Sequence, residues 1–211
     1  KLAGLQWNLV PYSQPGLPLT QLVAGLLGDK ACDVLVIQNH GLVVGGNSPS
    51  AALALMQDVE QRLACDPHPM VSVDLAGLEA VCAGTDFKVA DTDLVHQLAL
   101  PDGGFEVACR GSLYPDHVVF LGSAIAGVES PEELKAFCGA SSDDPLRPAA
   151  VALKGCGVVH RQSLTAGGLE MLKALAEVCR RTPDPDNVNY LTRTQEEALV
   201  NWDAEKYRQT L

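Results

Sequence analysis

Four aliphatic residues in a row, Val34 to Ile37, give way at once to Gln38, Asn39 and His40, an abrupt change from apolar to polar. Val34, Val36 and Ile37 are β-branched, and an uninterrupted run of this kind predicts a strand covered on both faces. Gly41 permits a turn with positive φ or a close backbone approach. Leu42 to Val44 resume a short strand, and Gly45, Gly46 and Asn47 close it. Ser48 and Pro49 then read as the cap and first residue of a helix running to Cys65. Ala52, Leu55, Met56, Val59 and Leu63 share one face of that helix, while Gln57, Asp58, Gln61 and Arg62 face away. His40 is thereby expected at a strand end, beside a turn and ahead of a helix, a common ligand position in open α/β sheets.

The flanking pattern extends the same grammar. Pro11, Pro15 and Pro18 predict an extended, turning connection over the first 20 residues, with Trp7 and Tyr12 anchoring it on a core. Leu22, Val23, Leu26 and Leu27 predict a helix from Leu19, with Thr20 as candidate cap and Gly28 as stop. Asp66 to Pro69 ends the helix that follows His40. Between Val71 and Arg110 the pattern predicts short helices, near Leu75 to Val81 and from an Asp91 cap to about Leu100, with little strand signal. Val118 to Leu121 reads as a buried strand, and Ser130-Pro131-Glu132-Glu133 as a strong helix start. Ala149 to Leu153 and Val158 to His160 read as strands around the turn Lys154-Gly155-Cys156-Gly157. Helices are expected from about Thr165 to Arg181 and from about Thr194 to Trp202, with Trp202 and Tyr207 packing onto a neighbour or a partner chain. The expected architecture is α/β and layered, in three parts: residues 1–68, a helical connection over 69–110, and a second, smaller α/β lobe with C-terminal helices over 111–211.

Aligning His40-Gly41 with Cys156-Gly157, an offset of 116, places strand, polar break, glycine, short strand and helix in the same order twice. Identities such as Gly41/Gly157, Val43/Val159 and Leu53/Leu169 are few. Either a degenerate internal repeat or ordinary recurrence of βα architecture accounts for them.

Composition narrows the function classes. Of 211 residues 47% are hydrophobic and 19% charged, the balance of a packed globular chain. A net charge of −11 and a sequence pI near 4.7 oppose attraction to nucleic acid or anionic membranes. The apolar run Val118 to Val128 is too short to cross a bilayer and is broken by Gly122, Ser123 and Gly127. Seven dispersed cysteines without a CxxC pair predict reduced thiols and a cytoplasmic setting. The chain begins at Lys1 rather than methionine, which suggests further sequence upstream.

The chain contains no HExxH, HxH, GxSxG or P-loop motif. Gly155-x-Gly157-x-x-His160 lacks the third glycine of a dinucleotide fingerprint and reads as a plain turn. Cys156 reads as a buried, inert cysteine or as a reactive thiol next to Lys154. His68 and His96 are expected on the surface or on helices without partners, and Asp116-His117 in a structural turn. On spacing alone His40 is either a hydrogen-bonded turn histidine or a metal ligand whose second nitrogen is held by a backbone or carboxylate acceptor.

The segment VLVIQNHGLVVGG, with VPYSQPGLPL before it, resembles the class II aldolase/adducin family, in particular its longer members related to rhamnulose-phosphate aldolases. GSLYPDH and LTRTQEEALVNWDAEKYR extend that resemblance more weakly. It implies a layered α/β/α fold and a zinc (or other divalent metal) site with His40 as one ligand. The implied activity is that of a lyase cleaving a hydroxylated or phosphorylated sugar through a metal-stabilised enediolate. It also implies a homo-oligomer and a small-molecule sugar or sugar-phosphate partner. The family supplies an HxH pair and an acid/base glutamate from a segment before this one, and no residue of Lys1 to Gly28 matches them. A fragment of a longer enzyme is therefore expected. The alternatives are a non-catalytic, adducin-like assembly module and a sugar-phosphate epimerase or dehydratase. With Cys156 in place of the histidine, the second lobe is expected to be structural or to shape an interface, and not to bear a second zinc centre.

Overall fold

A computed structural model describes residues 1–28, 32–102, 104–182 and 184–202. Tyr207 lies outside the described residues. The chain divides into two compact units, Lys1–Asp66 and Pro67–Leu211, and both are mixed α/β.

The first unit contains, in order, β1 (Trp7–Val10), α1 (Leu17–Leu27), β2 (Val34–Ile37), β3 (Gly41–Val44) and α2 (Pro49–Leu63). Its sheet has the order β1-β2-β3, with β1 parallel and β3 antiparallel to β2. The stretch read as a proline-rich connection thus contains a strand, and Trp7 is 44% exposed rather than anchored on a core. Val10 carries the burial in that strand instead, with no exposed surface. α1 begins two residues before the expected start, on Gly16 rather than Thr20, and none of its residues is buried. α2 starts as its sequence demands: the Ser48 hydroxyl accepts from Ala51 N–H at 3.2 Å and Pro49 stands at the first position. Val59 alone is buried among the apolar face predicted for it, packing with Leu2 and Val34 in a small core. Leu53, Met56 and Leu63 remain exposed.

The second unit contains α3 (Leu78–Cys82), β4 (Phe87–Val89), α4 (Asp93–His96), α5 (Phe105–Arg110), α6 (Pro115–Leu121), β5 (Ala126–Val128), α7 (Pro131–Gly139), β6 (Ala150–Leu153), β7 (Gly157–Arg161), α8 (Ala166–Cys179) and α9 (Arg193–Val200), with short 3-10 turns after α4 and before α9. Its sheet has the order β4-β7-β6-β5, and only the β5–β6 pair is parallel. Successive residues of the two central strands point to opposite faces. Ala150, Ala152 and Val158 join Leu98, Leu121, Leu172 and Leu175 in one core, while Val151, Leu153 and Val159 join Phe87, Leu134 and Cys138 in another. The sheet therefore has helices on both faces, and burial of each leucine contributes about 2 kcal/mol.

Three local expectations are corrected here. Val118 to Leu121 is not a strand but the end of the helix α6: Pro115 and Asp116 occupy its first turn, and Gly122 at φ 79° ends it. The stretch between Val71 and Arg110 supplies a strand, β4, which pairs with β7 from Phe87↔Arg161 to Val89↔Val159. The helix expected from an Asp91 cap is instead the single turn α4 after Thr92, followed by the 3-10 turn Gln97–Ala99.

The two units share one element order, β-α-β-β-α: β1-α1-β2-β3-α2 in the first and β5-α7-β6-β7-α8 in the second. Strand directions match, and the offset of 116 carries the hairpin register of one onto that of the other: Ile37↔Gly41 with Leu153↔Gly157, and Val34↔Val44 with Ala150↔His160.

Candidate functional site

The tight turn between β2 and β3 presents His40. Its backbone N–H donates to the Ile37 carbonyl at 3.1 Å, which closes the turn, and Asn39 takes φ 60°. Asparagine tolerates this left-handed geometry better than most residues. Gly41 follows at φ 133°, a conformation that a side chain rarely adopts. Two neighbouring contacts place the incoming chain against this turn: Gln38 N–H donates to the Val10 carbonyl at 2.9 Å, and the Gln38 side-chain oxygen accepts from Tyr12 N–H at 3.1 Å.

The imidazole is half-buried and fixed on two sides. Nε2 lies 2.9 Å from the Ser13 carbonyl, which can only accept, so Nε2 carries the proton and Nδ1 of the neutral ring is the acceptor. The ring stacks on Tyr12, whose hydroxyl pKa is raised by burial. An imidazole whose N–H is held by a carbonyl while the other nitrogen stays available is the arrangement used by metal-ligating histidines. Among the described residues, however, no three His, Cys, Asp or Glu side chains are grouped to hold a metal ion. One imidazole is one ligand of the three or four a zinc ion takes, so the described residues fit one ligand of such a centre and not the centre itself.

The supporting residues Tyr12, Ser13 and Gln38 were not singled out as site residues in the sequence. The Tyr12-Ser13 pair sits in the proline-bounded stretch before α1, where a histidine partner has no periodic signature.

The corresponding turn in the second unit is built alike. Cys156 N–H donates to the Leu153 carbonyl at 2.9 Å, Lys154 N–H donates to Val128 at 2.9 Å, and Gly155 takes φ 76° where Asn39 stands in the first. This is the plain turn expected of the Gly155-x-Gly157 segment. Cys156 is partly exposed, and none of the seven cysteines is in a disulfide. Burial pushes the Cys109 and Cys179 thiols up to about 12 and Cys138 to about 11, which keeps them protonated.

Of the remaining histidines, His96 lies on a helix and His160 on a strand as expected, but His96 and His68 are not without partners. His96 is buried and fully engaged: Nε2 donates to the Ala90 carbonyl at 3.1 Å, and Nδ1 accepts from Val158 N–H at 3.1 Å, tying α4 to β7. His117 is fully buried within α6, where burial lowers its pKa to about 4. Asp116 and His117 are therefore helical residues rather than a turn. His160 is buried on β7, and its Nδ1 donates to the Arg161 carbonyl at 2.8 Å. His68 anchors through its backbone, its carbonyl accepting from the Arg180 guanidinium at 2.7 and 3.0 Å.

Among the described residues no helix is long and apolar enough to cross a membrane. No curated protein and no solved structure matches the chain. The first unit, with the His40 turn, Tyr12 and Ser13, does match a known family: residues 1–65 fit the model of the Class II Aldolase and Adducin N-terminal domain.

Proposed function

We propose that the first unit is part of a layered α/β/α class II aldolase domain, and that the protein containing it is a zinc-dependent lyase acting on a hydroxylated or phosphorylated sugar. His40 supports this reading most directly. In a segment that matches the family, it stands on a rigid turn with Nε2 committed to the Ser13 carbonyl and Nδ1 left as an acceptor. A divalent ion bound in such a site supplies charge that stabilises an enediolate. The chain's own contribution is to hold the imidazole against Tyr12 in one orientation and one tautomer.

A second reading, an adducin-like assembly module without catalysis, draws on the same unit. Its described residues bring no three metal-type ligands together, and Trp7, Leu9, Leu42 and Val43 present exposed apolar surface on the sheet. The sister activities, epimerase or dehydratase, share the metal and the fold and differ in the reaction.

Metal analysis of the intact native protein beside its His40→Ala variant tests the enzyme reading. Stoichiometric zinc in the first, a loss of roughly tenfold or more in metal affinity in the second, and release of a carbonyl product from a sugar phosphate support it. Absence of stoichiometric metal from the intact protein, or retention of zinc by the variant, overturns the assignment of His40.

A further inference from the structure

The turn between β2 and β3 grips residues 10–13 at three successive points. Gln38 N–H donates to the Val10 carbonyl at 2.9 Å, Gln38 Oε1 accepts from Tyr12 N–H at 3.1 Å, and His40 Nε2 donates to the Ser13 carbonyl at 2.9 Å. The first of these continues the parallel β1–β2 ladder past the Val10↔Ile37 pair. The next donor of such a ladder is Tyr12 N–H, because the bonds of a parallel pair recur at every second residue. At that point β2 has already entered the hairpin turn, with His40 N–H committed to the Ile37 carbonyl at 3.1 Å. The side-chain oxygen of Gln38 takes the bond in its place.

The consequence reaches the imidazole. Tyr12 N–H lies two peptide units before the Ser13 carbonyl, so a bond on the first limits where the second can stand. Tyr12 also supplies the ring on which His40 stacks. Gln38 and His40 stand on one rigid turn and hold the same four residues, which makes the Gln38 bond part of the geometry that Nε2 meets. An amide carries no charge and no reactive group at neutral pH, so this contribution is one of position alone.

The second unit provides the contrast. The offset of 116 carries Gln38 to Lys154, whose backbone N–H donates to the Val128 carbonyl just as Gln38 N–H donates to Val10. Its side chain does not hold the incoming backbone but pairs with Glu129 at 3.3 Å and Glu106 at 3.7 Å. Where the turn carries Cys156 instead of an imidazole, the side-chain bond to the incoming strand is replaced by ion pairs.

We infer that Gln38 is the positioning residue of His40: through Tyr12 it sets the Ser13 carbonyl that keeps the proton on Nε2 and leaves Nδ1 as the acceptor. Its bearing on metal affinity rests on the reading of the first unit as part of a zinc enzyme, whereas its hold on the imidazole does not.

Histidine-selective ¹⁵N labelling of the intact protein, kept free of metal, reads the ring directly. In the wild type His40 Nε2 should carry a proton that exchanges slowly with water. Gln38→Met, close in size but without the acceptor oxygen, should speed that exchange roughly five- to tenfold, the worth of one hydrogen bond. Gln38→Glu keeps an oxygen at the same reach and should restore the wild-type rate. The backbone amides of Val34 and Val59, in the small core of the same unit, should keep their protection in both variants. Unaltered Nε2–H exchange in Gln38→Met, an equal acceleration in Gln38→Glu, or an acceleration matched by the Val34 and Val59 amides overturns the inference. Because no metal takes part, failure here is distinct from failure of the zinc assignment.

Discussion

The His40 imidazole lies nearly flat against the Tyr12 ring, with centroids 5.4 Å apart and planes 5° from parallel. Residues from the pre-helix segment and from the hairpin turn are joined there, and the Ser13 carbonyl fixes the edge of the same imidazole. Tyr12→Ala should remove the ring-current shift on the His40 ring protons and destabilise the first unit by about 1 kcal/mol. Tyr12→Phe should retain both. Proton NMR of the His40 ring and urea unfolding read the two effects, and unchanged shifts in the alanine variant would show that the rings do not stack in solution.

Acid should weaken the second unit through His117. Burial lowers its folded pKa from the ordinary 6.5 to about 4. Between these values the unfolded chain binds the proton and the folded one does not, so stability rises with pH across that window. The full contribution is present above pH 6.5 and is lost progressively down to about pH 4, on the order of 3 kcal/mol. His96 and His160 are shifted the same way by burial and add to the slope. Urea midpoints at pH 7.5 and 4.5 should differ less in His117→Asn, and an equal difference in that variant would remove His117 as a cause.

Ser112 should prove disproportionately important for a small side chain. Its buried hydroxyl donates to Glu196 Oε1 at 2.7 Å and accepts from Ala124 N–H at 3.1 Å, which binds α9 to the rest of the second unit. Ser112→Ala leaves a buried carboxylate and a backbone N–H short of a partner, at a cost of roughly 2–3 kcal/mol. Hydrogen exchange in α9 should rise with the loss of stability. Protection of α9 that equals the wild type would contradict the linkage.

The two hairpin turns make a paired prediction. Gly155→Asn should be tolerated within about 1 kcal/mol, because Asn39 holds the same left-handed position in the first turn. Gly155→Val should cost more, about 2 kcal/mol, since a β-branched residue is strained there. Thermal unfolding of the two variants separates them, and equal losses would show that backbone strain does not govern the turn.

Elements bounded by strong local chemistry were legible in the sequence. Ser48-Pro49, Ser130-Pro131 and Thr165 start helices with side-chain caps, and Val34–Ile37 and Ala150–Leu153 are strands. Val118-Val119-Phe120-Leu121 misled because a helix buried on nearly every side shows no polar face, and β-branched residues then mimic a strand. β1 was hidden because its strand character lies in pairing with β2, across a stretch punctuated by proline. Of the candidate site, His40 and its turn could be read, whereas the Tyr12 stack depends on register between distant segments.

The hairpin turns are closed by main-chain hydrogen bonds, His40 N–H to Ile37 and Cys156 N–H to Leu153, while the left-handed residue precedes the central side chain in each. Shape is thus set by the positions around 40 and 156 and not by the residues occupying them. A change of the central side chain therefore leaves the hydrogen bonds that close the turn in place, so that imidazole and thiol occupy equivalent positions of one hairpin geometry.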